Sequence, residues 1–169
     1  MKRFLSLIAA VLLTGATVLT AQQKFGYVNS QEILFAMPEV TQMQQAMEQK
    51  SNEYRAQLET KYADYEEKYT FLVENQETMM PAVFEQKMQE LQSLETTIMN
   101  LEEKIQEDLA AYEESLYLPI ENKAVAAINT VAQANGYSYV FDLAAGSLVY
   151  YPEGDNITPL VKRELGITN

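Results

Sequence analysis

The chain contains no cysteine, no histidine and no tryptophan. Without cysteine there is no disulfide framework and no thiol nucleophile. Without histidine, both the commonest metal ligand and the commonest general base are missing. Basic residues are scarce: 12 Lys and Arg stand against 24 Asp and Glu, for a formal net charge of −12. Such a chain repels nucleic acid and anionic membrane surfaces, which makes both poor partners. No phosphate-binding loop, nucleophile elbow or metal motif is present, so nucleotide use and hydrolysis have no motif to stand on. The expectation is a non-enzyme with no catalytic residue, no metal and no cofactor. Acidic pairs such as Glu66-Glu67, Glu102-Glu103 and Glu113-Glu114 do not change this. Neighbours on a helix point about 100° apart and do not converge on one ion, so these pairs read as solvated faces.

Glycine is absent from residue 38 to residue 135. That stretch is rich in Glu, Gln, Lys, Met, Ala and Leu, which favour helix. Its apolar residues fall three and four apart, first through Val40, Met43, Met47, Tyr54, Leu58, Tyr62, Tyr65, Tyr69 and Leu72. They resume through Phe84, Met88, Leu91, Leu94, Ile98, Leu101, Ile105, Leu109, Tyr112 and Leu116. A seam this narrow and this long predicts a coiled coil. Pro81 sits where the seam breaks. The prediction is two helices folded back on each other around residues 73 to 81, an arm over residues 38–119. Tyr54, Tyr62, Tyr65 and Tyr69 take the places of Leu and are expected in the seam. The turn of the arm is apolar, and Phe71, Leu72, Met79, Met80, Val83 and Phe84 are the candidate binding residues there. Methionine is flexible and suits promiscuous surfaces.

The N-terminus reads as an export signal over residues 1–21. Lys2 and Arg3 precede an apolar run from Leu5 to Leu13, and Ala21 offers a small residue for cleavage. Its removal leaves a still more acidic mature chain, expected to be soluble. Residues 22–37 and 120–169 read as a β-rich body. Phe25-Gly26-Tyr27-Val28-Asn29 has a strand pattern, Ser30 looks like the N-cap of a short helix, and Pro38 suits the first position of the next helix. Ala124 to Ala132 carries too wide an apolar patch for a two-helix seam and is expected to pack against a sheet. Gly136 ends that helix. Tyr137 to Leu143 and Ser147 to Tyr151 are two β-rich runs that predict a hairpin, and Thr158 with Pro159 predicts a last short helix. Three short strands are marginal alone, so the body is expected to self-associate.

The order of these parts resembles the Skp/OmpH family of periplasmic chaperones for outer-membrane proteins. The resemblance rests on the signal, Tyr27-Val28-Asn29, the helical hairpin, Gly136-Tyr137-Ser138-Tyr139-Val140-Phe141-Asp142 and Asp155-Asn156-Ile157-Thr158. It implies an α+β chain, a long antiparallel helical hairpin on a small body of strands, assembled as a homotrimer around a shared β-barrel. Phe25, Tyr27, Val28, Tyr139 and Phe141 would belong to that oligomerisation body. It implies an ATP-independent holdase in which three arms enclose an unfolded outer-membrane β-barrel protein. Well-known members have basic arms, whereas Asp and Glu outnumber Lys and Arg here, so no lipopolysaccharide site is carried over. The alternative reading is an exported coiled-coil spacer without clients, in which residues 38–135 form one continuous rod.

Overall fold

The computed structural model describes residues 23–146 and 148–167. The expected export signal, residues 1–21, lies outside the described residues. The elements in chain order are β1 (Phe25–Val28), α1 (Ser30–Ala36), α2 (Pro38–Asn75), α3 (Pro81–Ala134), β2 (Tyr139–Asp142) and α4 (Thr158–Glu164). Single 3-10 turns follow β2 at Leu143–Ala145 and precede α4 at Glu153–Asp155.

The helix starts follow local chemistry. Asn29, not Ser30, caps α1: its side-chain oxygen accepts from the Glu32 N–H at 3.1 Å. Ser30 is instead tied to β2, its hydroxyl donating to Asp142 at 2.6 Å and its N–H at 3.1 Å. Met37 turns extended because a residue before proline avoids the helical region, and Pro38 then opens α2. Met80 and Pro81 repeat the device at the start of α3.

At about 1.5 Å per residue, α2 (38 residues) spans about 57 Å and α3 (54 residues) about 81 Å. They run antiparallel: Glu39 pairs with Lys123, Tyr54 with Asp108 and Tyr62 with Glu102. The chain therefore doubles back at residues 76–80, which excludes the continuous rod. The arm seam buries Leu72, Leu91, Ile98 and Ile105. Pro119 lies inside α3, a proline the seam reading passed over. Its ring leaves the Ser115 carbonyl without a helical donor. The residue after it, Ile120, is buried in the body core, so this break falls where arm becomes body.

The body core collects Val28, Ile33, Met37, Val40, Ile120, Ala124, Ala127, Val131, Ile157 and Val161. The small-residue end of α3 does supply this core through Ala124, Ala127 and Val131, while Val125 on the same turns stays exposed. Gly136 and Gly166 take left-handed φ values of 69° and 74° and end α3 and α4, as glycine permits.

The sheet differs from expectation. β1 and β2 pair in parallel, with Phe25 opposite Tyr139 and Tyr27 opposite Phe141. The predicted hairpin onto residues 147–151 is not formed among the described residues, which contain a two-stranded sheet. The cause lies just past β2. Asp142 accepts from the Ala144 N–H at 3.0 Å, and Gly146 adopts φ 67°, so the chain turns away instead of returning alongside β2. On the far side of β1, the Ile157 N–H donates to the Tyr27 carbonyl at 2.9 Å, beside a single bridge to Asn156. Thr158 opens α4 but does not cap it. Its hydroxyl accepts from the Asn29 N–H, and the Asn156 side-chain oxygen accepts from the Thr158 N–H.

Candidate functional site

Three surfaces carry the chemistry: the arm tip, the arm flank and the outer face of the sheet. At the tip the six candidate residues separate. Leu72 is 5% exposed: it takes the seam position its spacing predicts and closes the hairpin, so it is not a free tip residue. Met80 is 70% exposed, Phe71 and Val83 are also exposed, and Met79 and Phe84 are half-buried. The Asn75 side chain donates to the Phe71 carbonyl and the Thr78 N–H to the Asn75 carbonyl, which rounds off the end of α2 and holds the turn.

Along the flank the tyrosine stripe divides too. Tyr54 and Tyr65 are half-buried, but Tyr62 and Tyr69 stand about half in solvent, outside the seam. Tyr65 and Tyr69 stack with ring centres 6.3 Å apart. The Tyr62 hydroxyl donates to Glu102 at 2.6 Å, and that bond raises the Tyr62 pKa. The Tyr54 hydroxyl donates to Asp108 at 3.1 Å. Lys104, then Tyr54, hold the Asp108 carboxyl below its ordinary value. Glu102 is thus not merely a solvated residue of an acidic pair. Sequence reasoning missed this because the partner lies 40 residues away. Met88, which the spacing places in the seam, is exposed on α3, and so is Met99.

The sheet has two unlike faces, as strand alternation requires. Val28 and Val140 turn toward the helices, while Phe25, Tyr27, Tyr139 and Phe141 share the other face. Phe25 stacks on Tyr139 at 5.7 Å and on Phe141 at 6.3 Å. Tyr151 lies 4.5 Å from Tyr27 and covers it, so Tyr27 is buried within the chain. Phe25, Tyr139 and Phe141 remain exposed, and so do Val149 and Tyr150. Of the five body residues singled out in the sequence, Tyr27 and Val28 are internal and the other three form an open aromatic face. Among the described residues no cluster of acidic side chains is arranged to hold a metal ion.

A model of the family described as Outer membrane protein (OmpH-like) matches residues 24–165. The chain belongs to the OmpH-like family. No curated protein matches it. Its fold is similar to a crystal structure from Caulobacter crescentus CB15 described as a "putative outer membrane chaperone (OmpH-like)". That similarity has a TM-score of 0.76 at 17% identity and covers 89% of this chain and 88% of the other. At such identity the likeness shows the fold. The mainly helical chain with a long hairpin and a small sheet is therefore an OmpH-like fold. No helix among the described residues is long and apolar enough to cross a membrane.

Proposed function

We propose that this OmpH-like protein is an ATP-independent periplasmic holdase. It encloses unfolded outer-membrane β-barrel proteins between the helical arms of a homotrimer and performs no catalysis. The observation that carries this reading is the long two-legged arm that leaves Phe71, Met80, Met88 and Met99 outside its own seam. Adaptable apolar side chains spread over a long surface suit many weak contacts, which sum without ordering the client. Sheltering a client in this way keeps its unpaired strand edges apart. Release needs no nucleotide, because the folded client in its membrane is the lower free-energy state.

The trimer draws support from the sheet. Two strands are marginal alone, and Phe25, Tyr139, Phe141 and Tyr150 present apolar surface that a lone chain leaves wet. Joining such faces into a shared barrel would cover them. The acidic arm argues against lipopolysaccharide as a ligand.

Dilution of a urea-denatured membrane β-barrel into the purified mature protein tests the reading. Light scattering should fall sharply at one trimer per client, and native mass spectrometry should show three copies with one client. Unchanged scattering at that ratio refutes the holdase.

A further inference from the structure

Twice along the arm, a tyrosine of α2 donates to a carboxylate of α3, and the two places are furnished differently. At Tyr54 and Asp108 the chain supplies its own cations. Lys50 Nζ lies 5.0 Å from the centre of the Tyr54 ring, and Lys104 Nζ lies 3.1 Å from Asp108 Oδ1. At Tyr62 and Glu102 the described residues supply none. Among the described residues no lysine or arginine pairs with Glu95 or Glu102, and none sits over the ring of Tyr62 or Tyr65. Nearby Lys68 is committed to Asp64.

A groove of about 230 Å³ opens at this second place. Tyr62, Tyr65, Ile98 and Met99 give it apolar walls, and Glu95 and Glu102 give it two carboxylates. The Tyr62 hydroxyl donates to Glu102 Oε1 and so fixes that carboxylate at the edge of the groove. The surroundings reinforce the sign of the site: between residues 38 and 135 there are 19 Asp and Glu against 7 Lys and Arg.

We propose that this groove receives a lysine or arginine side chain of an unfolded polypeptide client. The alkyl stem lies along Met99 and the tyrosine rings, and the cation sits between Glu95 and Glu102. This mirrors what Lys50 and Lys104 do at Tyr54 and Asp108. Long basic side chains combine an apolar stem with a charged head, and ring faces attract cations. An unfolded chain presents such side chains singly and extended, as a narrow groove requires. The proposal rests on the holdase reading and narrows it: the arm selects basic stretches of its clients.

The test uses the mature protein and two unstructured fluorescein-labelled peptides that differ only in carrying lysine or acetyl-lysine. Fluorescence anisotropy should show about fivefold tighter binding of the lysine peptide. E95Q/E102Q should abolish that preference, and E113Q/E114Q, which removes an acidic pair elsewhere on the arm, should keep it. E95Q alone should leave the melting temperature unchanged, since none of the described residues pairs with Glu95. Equal binding of both peptides by the unaltered protein overturns the proposal. So does a preference that survives E95Q/E102Q or vanishes equally in E113Q/E114Q, which would make the effect one of diffuse charge. A change of copy number in E95Q/E102Q, with the peptide preference intact, would assign the groove to a second copy and overturn the proposal as well. A protein that suppresses β-barrel aggregation yet shows no lysine preference loses this inference and keeps the holdase. One that suppresses nothing loses the holdase.

Discussion

The body and the arm of this molecule are held together in unlike ways. In the body, Ile33, Ile157 and Val161 are 0% exposed and are enclosed by helices on one side and a strand on the other. Hydrogen bonds from Ser30 to Asp142 and from Asn29 to Thr158 lock segments more than 100 residues apart. In the arm, one seam joins two helices; it buries Leu72, Leu91, Ile98 and Ile105 and half-buries the side chains beside them, such as Tyr54 and Leu94. A fully enclosed core specifies one arrangement. A single seam holds two helices in register and leaves most of their surface free to touch something else. The contrast sets a base with one specified packing against an arm whose flanks stay open.

Matched core truncations should show the contrast at its largest. Ile33→Ala is expected to cost about 3–4 kcal/mol, because the surrounding body cannot collapse into the hole. Ile98→Ala should cost about 2 kcal/mol, because the arm helices can close up or admit water. Urea denaturation of the intact protein measures both, and equal costs would erase the distinction. Gly26→Ala comes next. An added methyl group would meet the Tyr137 ring at 2.9 Å, and pushing that ring aside should cost about 1–3 kcal/mol, read by the same titration.

Asp142→Asn tests the polar lock and carries a pH signature. Burial pushes the Asp142 carboxyl up, but the Ser30 hydroxyl and the Ser30 and Ala144 N–H groups outweigh it and hold the carboxyl below its ordinary value. A carboxyl depressed in the folded state stabilises fully above its unfolded value, about pH 4, and loses that contribution as pH falls through the folded value. Asp142→Asn should therefore cost about 1–2 kcal/mol at neutral pH, with allowance for partial solvent screening, and should flatten the acid limb of stability against pH. An unchanged acid limb would remove Asp142 from the account. Tyr62→Phe should have the smallest effect. It deletes one solvent-exposed bond on the arm, so the melting temperature should stay within measurement error. A clear drop would mean the arm flank contributes to holding the helices, contrary to the contrast drawn above.

Much of the arm was legible in the chain. Spacings of three and four through Leu91, Ile98 and Ile105 place one face inward whatever the partner, and the prolines at 38 and 81 mark helix starts by excluding helix before them. Gly136 and Gly166 marked the stops. The candidate site was less legible. The seam spacing picks out Leu72 over its neighbour Phe71 as the inward residue, and Leu72 is buried while Phe71 is exposed, but how far Met79, Val83 and Phe84 turn outward depends on how α2 packs against α3. The tyrosine stripe misled for the same reason: helical spacing admits Tyr62 near the seam, while its bond to Glu102 draws it to the rim.

What the sequence determined by itself is local: where helices begin and end, which face is apolar, and the excess of negative charge along the arm. These depend on residues within a few turns of one another. Only the tertiary structure decided that β1 lies parallel to β2, that residues 148–151 add no strand to that sheet, and that Glu95 and Glu102 open beside Tyr62 and Tyr65. Such contacts join residues distant in the chain, and their geometry comes from packing the whole body and arm at once, which no local pattern encodes.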